Sequence, residues 1–202
     1  MRRSRPVLTA LSVLALLLAG CGGSGQGQRA STPPPDQAFL QSMVPHHTSA
    51  VEMAEVAKVE GQSAFVKGLA DDIVSSQKRE IGQMKQIHQR LYKAPLKPDM
   101  GGHVALGLSA EQAGMNHMDG ATMVRGKKPF DPAFVNEMIP HHQGATKMAE
   151  AVVAKGRDPE VRKLAEGIIA AQKREIAEME KFRAEGYRAS APSAPAPSGV
   201  TG

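Results

Sequence analysis

Apolar positions recur with helical spacing along four long stretches of the chain. In the first, Phe39, Met43, Ala50, Met53, Ala54 and Ala57 fall on one side of a helix running to about Val59, with Asp36 placed to cap its start and Gly61 to stop it. Ser63 can cap the second, where Leu69, Ile73, Ile81, Met84 and Leu91 line one side as far as about Tyr92, ahead of Pro95 and Pro98. The third and fourth open on Asp131-Pro132 and Asp158-Pro159, each reading as an N-cap followed by proline at the first helical position, and Gly156 closes the helix between them. The pattern predicts an all-α chain in which four long helices form two αα-hairpins. A connection rich in Gly and Pro separates them over 94–130, where Ser109-Ala110-Glu111-Gln112 is placed as a capping box for one short helix.

The two hairpins are copies of each other. Adding 95 to a position in the first gives its counterpart in the second, without a gap from Asp36/Asp131 to Met84/Met179, and 22 of the 50 pairs from 36 to 85 are identical. That is too many for chance, so the halves read as a tandem duplication, repeat one over 36–93 and repeat two over 131–187. Met43-Val44-Pro45-His46-His47 with Met53 recurs as Met138-Ile139-Pro140-His141-His142 with Met148.

Composition narrows the class. Aromatic residues make up 3% of the 202 positions and there is no Trp, so the core must be aliphatic and filled by Met. Residues 1–20 carry a basic start (Arg2, Arg3, Arg5) and an apolar run from Val7 to Leu18, too short for a membrane span and suited to a signal peptide. Leu18-Ala19-Gly20-Cys21 resembles the lipobox of bacterial lipoproteins, which implies cleavage before Cys21, lipidation of its sulfur and a membrane anchor on the extracytoplasmic side. Residues 21–35 then read as a flexible linker, 36–187 as the bundle, and the Ala/Ser/Pro stretch 188–202 as a disordered tail. The net charge of +5 falls to +2 once the three leader arginines are set aside, and basic patches with interleaved aromatics are missing, which argues against nucleic acid as a partner. A single cysteine excludes an intrachain disulfide and a thiolate cluster.

The candidate chemistry lies on the repeated stripe. At about 100° per residue, His46, His47 and Met53 fall within roughly 80° of Met43, as His141, His142 and Met148 do with Met138. The partner helices carry a second stripe with Gln77, Met84 and His88, matched by Gln172 and Met179, except that Arg183 takes the place of His88. Imidazole nitrogen with thioether sulfur suits a soft or borderline ion, Cu(I) above all, with zinc or iron as alternatives. The connection adds Met100, His103 and Met123, and Met115-Asn116-His117-Met118 reads as a short, mobile copper-capture segment. Methionines at core spacing also serve simply as core. Burying four imidazoles without partners, however, would cost on the order of 1–3 kcal/mol per group, which favours metal ligation.

Pro45 and Pro140 fall inside their helices, where proline either aims the imidazoles or frees a carbonyl, or merely bends the helix. The repeated Gln77-Lys78-Arg79-Glu80 and Gln172-Lys173-Arg174-Glu175 read as structural, with Arg/Glu pairs joining helices and Gln filling an interior polar position.

At Met-x-x-His-His-x5-Met, repeated, with Gln-Lys-x-Glu downstream, the chain resembles the secreted bacterial domain-of-unknown-function family three hundred and five over residues 36–186. The resemblance implies a ferritin-like four-helix bundle and a periplasmic copper-binding role in metal tolerance, with ligands at Met43, His46, His47, Met53, Met138, His141, His142 and Met148. It supplies no enzymatic activity, and a copper donor or acceptor protein would be the natural partner. A ferritin-like oxidoreductase and a metal-free helical interaction module are the rival readings; the Glu-x-x-His of carboxylate-bridged di-iron sites is missing, since Met43, Val44, Met138 and Ile139 stand three residues before the four histidines.

Overall fold

A computed structural model of the chain describes residues 32–116 and 118–187. The expected signal segment, most of the linker, the lipidation site Cys21, His117 and the 188–202 tail lie outside the described residues. Helix α1 spans Pro35–Glu60 and α2 Ala64–Tyr92; after a 3-10 turn at Gly102–Val104 come the short α3, Ala121–Val124, then α4, Phe130–Lys155, and α5, Pro159–Ala184. The fold is all-α, a four-helix bundle of two αα-hairpins, α1–α2 and α4–α5. Among the described residues no helix is long and apolar enough to cross a membrane.

Two of the expected caps form as read. Ser63 Oγ accepts from Val66 N at the start of α2, and Asp158 accepts from Glu160 N and Val161 N at 3.0 and 3.1 Å at the start of α5. Burial pushes the Asp158 carboxyl upward, but the Arg90 guanidinium and those two backbone donors outweigh it and hold it below the ordinary aspartate value. A depressed carboxyl stabilises the fold above its unfolded pKa and loses that contribution as pH falls through the folded value, so this cap weakens only in acid.

Asp36 and Asp131 depart from expectation. Helix α1 begins at Pro35 and α4 at Phe130, neither with a side-chain cap, so both aspartates lie inside the first turn. Each reaches into the other repeat instead. Asp131 accepts from Gln62 N and Ser63 N, both at 2.8 Å, in the α1–α2 turn, while Asp36 accepts from Arg157 N at 2.9 Å and Asp158 N at 3.4 Å in the α4–α5 turn. These are amides at helix starts with no intrahelical acceptor, and both carboxylates are buried. The capping box in the connection also forms, with Ser109 N donating to Gln112 Oε1 and Gln112 N to Ser109 Oγ. It leads into turns rather than a helix, because Gly114 turns left-handed at φ +68° and Met115 N bonds back to Ala110 O.

The core divides into two apolar clusters. One joins the C-terminal half of α1 and the N-terminal half of α2 to Phe130–Ile139 of α4 and Met179 and Phe182 of α5. The other joins the N-terminal half of α1 and Met84 and Ile87 of α2 to Ala145–Val152 of α4 and Val161–Ile168 of α5. Helices α1 and α4 therefore run antiparallel and cross at their middles, and between the clusters the four helices bury His46, His47, Gln77, His141, His142 and Gln172.

Replacing Asp131 with Ala is expected to cost about 1–3 kcal/mol of unfolding free energy in urea denaturation, since two helix-start amides lose their acceptor, with Asp36→Ala similar and Asp131→Asn milder.

Candidate metal centre

Between the clusters, α1 and α4 place His46 and His141 with ring centroids 3.9 Å apart, and His47 and His142 stand 6.5 and 6.3 Å outward from them. All four imidazoles are fully buried. They form one array across the bundle, drawn equally from the two repeats. Pro45, one residue before the first pair, removes the amide that would bond to Gln41 O, and Asp99 N of the connection donates to that carbonyl at 3.0 Å. At Pro45 the proline thus frees a carbonyl that anchors the connection.

Each outer imidazole meets a carboxylate. His47 Nε2 lies 2.7 Å from Glu80 Oε2 and His142 Nε2 lies 2.6 Å from Glu175 Oε2, at the same sequence separation of 33. The Gln-Lys-Arg-Glu repeat therefore works differently from the structural reading. Its lysines join the helices, Lys78 to Glu55 and Lys173 to Glu150, and its glutamates turn inward to histidine. Exact repetition of the tetrapeptide was the available signal. Gln77 and Gln172 fill interior polar positions as expected, and their amide atoms are buried with no hydrogen-bond partner.

The methionines sort by cluster rather than by repeat. Met43 and Met84 share a cluster with Met148, while Met138 and Met179 share the other with Met53, and all six are fully buried. The ligand set implied within one repeat, Met43 through Met53, is thereby split, because ten residues of helix rise about 15 Å, beyond the reach of one ion. Antiparallel crossing places three thioethers in the apolar cluster on each side of the imidazoles, two from one repeat and one from the other. Among the described residues no three His, Cys, Asp or Glu side chains are grouped to hold a metal ion.

The family model for the domain of unknown function DUF305 matches residues 36–183. The chain belongs to the DUF305 family. Among solved structures, the Cu(I)-bound form of CopM is 33% identical, with 76% of this chain and 98% of that one covered at a TM-score of 0.61. A silver-bound form of CopM is similar at 32% identity, 76% and 97% coverage and a TM-score of 0.62. A DUF305 fragment from Deinococcus radiodurans is 28% identical, with 76% and 98% covered and a TM-score of 0.58. Uncharacterized protein L153 of Acanthamoeba polyphaga mimivirus is 43% identical over 49 residues, 24% of this chain and 32% of that protein, so the match spans about a third of that curated relative.

The remaining candidates of this DUF305 chain lie apart from the imidazole array. His88 is buried near the end of α2, two turns or about 12 Å along the helix from Glu80, with its Nδ1 3.0 Å from Ala94 O. Its counterpart Arg183 is exposed. Met115 is not presented on a mobile segment: it is buried in a core cluster, with Met118 packed against that cluster. The connection is held down because Gly144 of α4 has no side chain. A Cβ there would meet Gly114 N at 2.5 Å and Ala113 C and O at 2.6 Å, and Gly114 itself lies over His46, where an added Cβ would meet Nε2 at 3.1 Å. The 113–115 turn therefore closes over the His46–His141 contact, which the repeat-one counterpart Ser49 could not permit at position 144.

Gly144→Ala is expected to displace that turn at a cost of about 1–3 kcal/mol, read as a lower thermal midpoint and faster hydrogen exchange at the Met115 amide.

Proposed function

We propose that this chain is an extracytoplasmic copper-binding protein that buffers or hands on Cu(I) through buried imidazole and thioether ligands, tethered to a membrane by lipid on Cys21. The observation that carries the reading is the array of four buried imidazoles with three buried methionines on either side. A soft ion with few ligands is the partner such donors favour, whereas hard cations ask for oxygen cages. CopM, similar over most of the bundle, has been solved with Cu(I), Cu(II) and silver, and Cu(I) and Ag(I) share a preference for sulfur. The extracytoplasmic placement is supported by the leader and by Leu18-Ala19-Gly20-Cys21. Metal tolerance is the role this chemistry fits, because a carrier of Cu(I) needs binding without turnover.

In competition with a Cu(I) chelator, replacing His46, His47, His141 and His142 by Ala is expected to weaken binding by about 100-fold or more, the upper end of what lost metal-site partners cost. Unchanged affinity in that variant would remove the reading. The methionine sets make a sharper expectation: Met148→Leu should weaken the same binding step as Met43→Leu, and Met53→Leu the same step as Met138→Leu. Such swaps nearly conserve volume and leave the fold in place at a cost below about 1.5 kcal/mol.

A further inference from the structure

We propose that Glu80 and Glu175 are positioning residues that hold His47 and His142 in the Nε2–H tautomer, so that each presents its Nδ1 as the metal-facing donor. The proposal takes its ligand from the copper reading above, but its geometry belongs to the metal-free chain. Both carboxylates approach the same ring atom, Nε2, at 2.7 and 2.6 Å, and in both rings the opposite atom, Nδ1, is buried with no hydrogen-bond partner. A carboxylate oxygen only accepts, so the proton between the two groups sits on Nε2, and in the neutral ring the lone pair is on Nδ1. A buried acceptor with nothing to accept from is costly, and its recurrence at one atom in both repeats points to an electrophile that occupies it.

The bland alternative, a surface ion pair, does not fit the burial. The histidines are 0% exposed and the glutamates 14% and 13%, so these bonds lie inside the bundle wall, where a carboxylate both orients the ring and raises the donor strength of its other nitrogen. Histidines away from the array are anchored the other way round. His88 and His103 bring Nδ1 within 3.0 and 2.8 Å of the Ala94 and Met100 carbonyls, which leaves Nε2 as their other nitrogen. Carboxylates on Nε2 thus distinguish His47 and His142 from His88 and His103. Glu80 also lines a groove of about 460 Å³ with Gln83, Ile87, Glu160 and Leu164 between α2 and α5, so its outer side meets solvent.

The test uses the full chain in two measurements. Long-range proton–nitrogen NMR of the metal-free protein should show His47 and His142 protonated at Nε2 and bare at Nδ1; protonation at Nδ1 in either ring would overturn the proposal. In Cu(I)-chelator competition, the Glu80→Ala/Glu175→Ala double variant should keep its helical circular dichroism, show mixed tautomers at both rings and lose about 10–100-fold in affinity. The Glu80→Gln/Glu175→Gln variant should fall between, because its amide oxygen still accepts, and it replaces the Ala variant if that one fails to fold. Wild-type tautomer and affinity in both variants would sink the positioning role. If the wild-type chain binds no Cu(I), the copper reading fails, and the NMR result alone still decides the tautomer.

Discussion

The bundle is organised by a layer of polar side chains buried at its middle. Four buried imidazoles, two buried glutamines and two partly buried glutamates occupy the level where a four-helix bundle would ordinarily carry aliphatic side chains, and they split the core into two apolar clusters. Taking so many polar groups out of water is unfavourable unless they bond to one another or to a ligand. Part of that cost is met inside the chain by the Glu80–His47 and Glu175–His142 bonds. Nδ1 of His47 and of His142 stays buried without a hydrogen-bond partner, and the proposed binding of a soft cation draws on these atoms.

Duplication turns this layer into a symmetric object with parts exchanged between the halves. Antiparallel crossing of α1 and α4 sets His46 against His141, sends Met148 to join Met43 and Met84, and sends Met53 to join Met138 and Met179. Asp36 and Asp131 make the same exchange at the hairpin turns. Neither repeat holds a complete set of thioethers or ties off its own turn, so a lone hairpin would leave both its methionine stripe and its helix-start amides unserved. Symmetry fails at the connection, which seats against α4 through Gly144 and takes up the Gln41 carbonyl that Pro45 releases, and at buried His88, whose counterpart is the exposed Arg183.

Much of the architecture was legible in the order of residues. Helical spacing, Ser63, Gly61, Asp158-Pro159 and Gly156 located the hairpins, because local propensity and capping act over a few residues and leave their mark there. Asp36 and Asp131 look like caps by the same local rules, yet their acceptors serve amides in the other repeat, which no window of neighbouring residues reveals. The Met115 segment reads as mobile from its glycines, but burial against α4 depends on a gap at Gly144 some thirty residues away. Glu80 and Glu175 were passed over because surface ion pairing is the usual fate of a charged residue in a helical Gln-Lys-Arg-Glu run.

By itself, the sequence determined the all-α class, the duplication and the donor types, since helix periodicity and residue chemistry are properties of short segments. Which donors share a level, and which nitrogen of His47 and His142 meets a carboxylate, was decided only by the tertiary structure. Residues ten apart on one helix are separated by about 15 Å of rise, while residues a hundred apart on crossing helices touch.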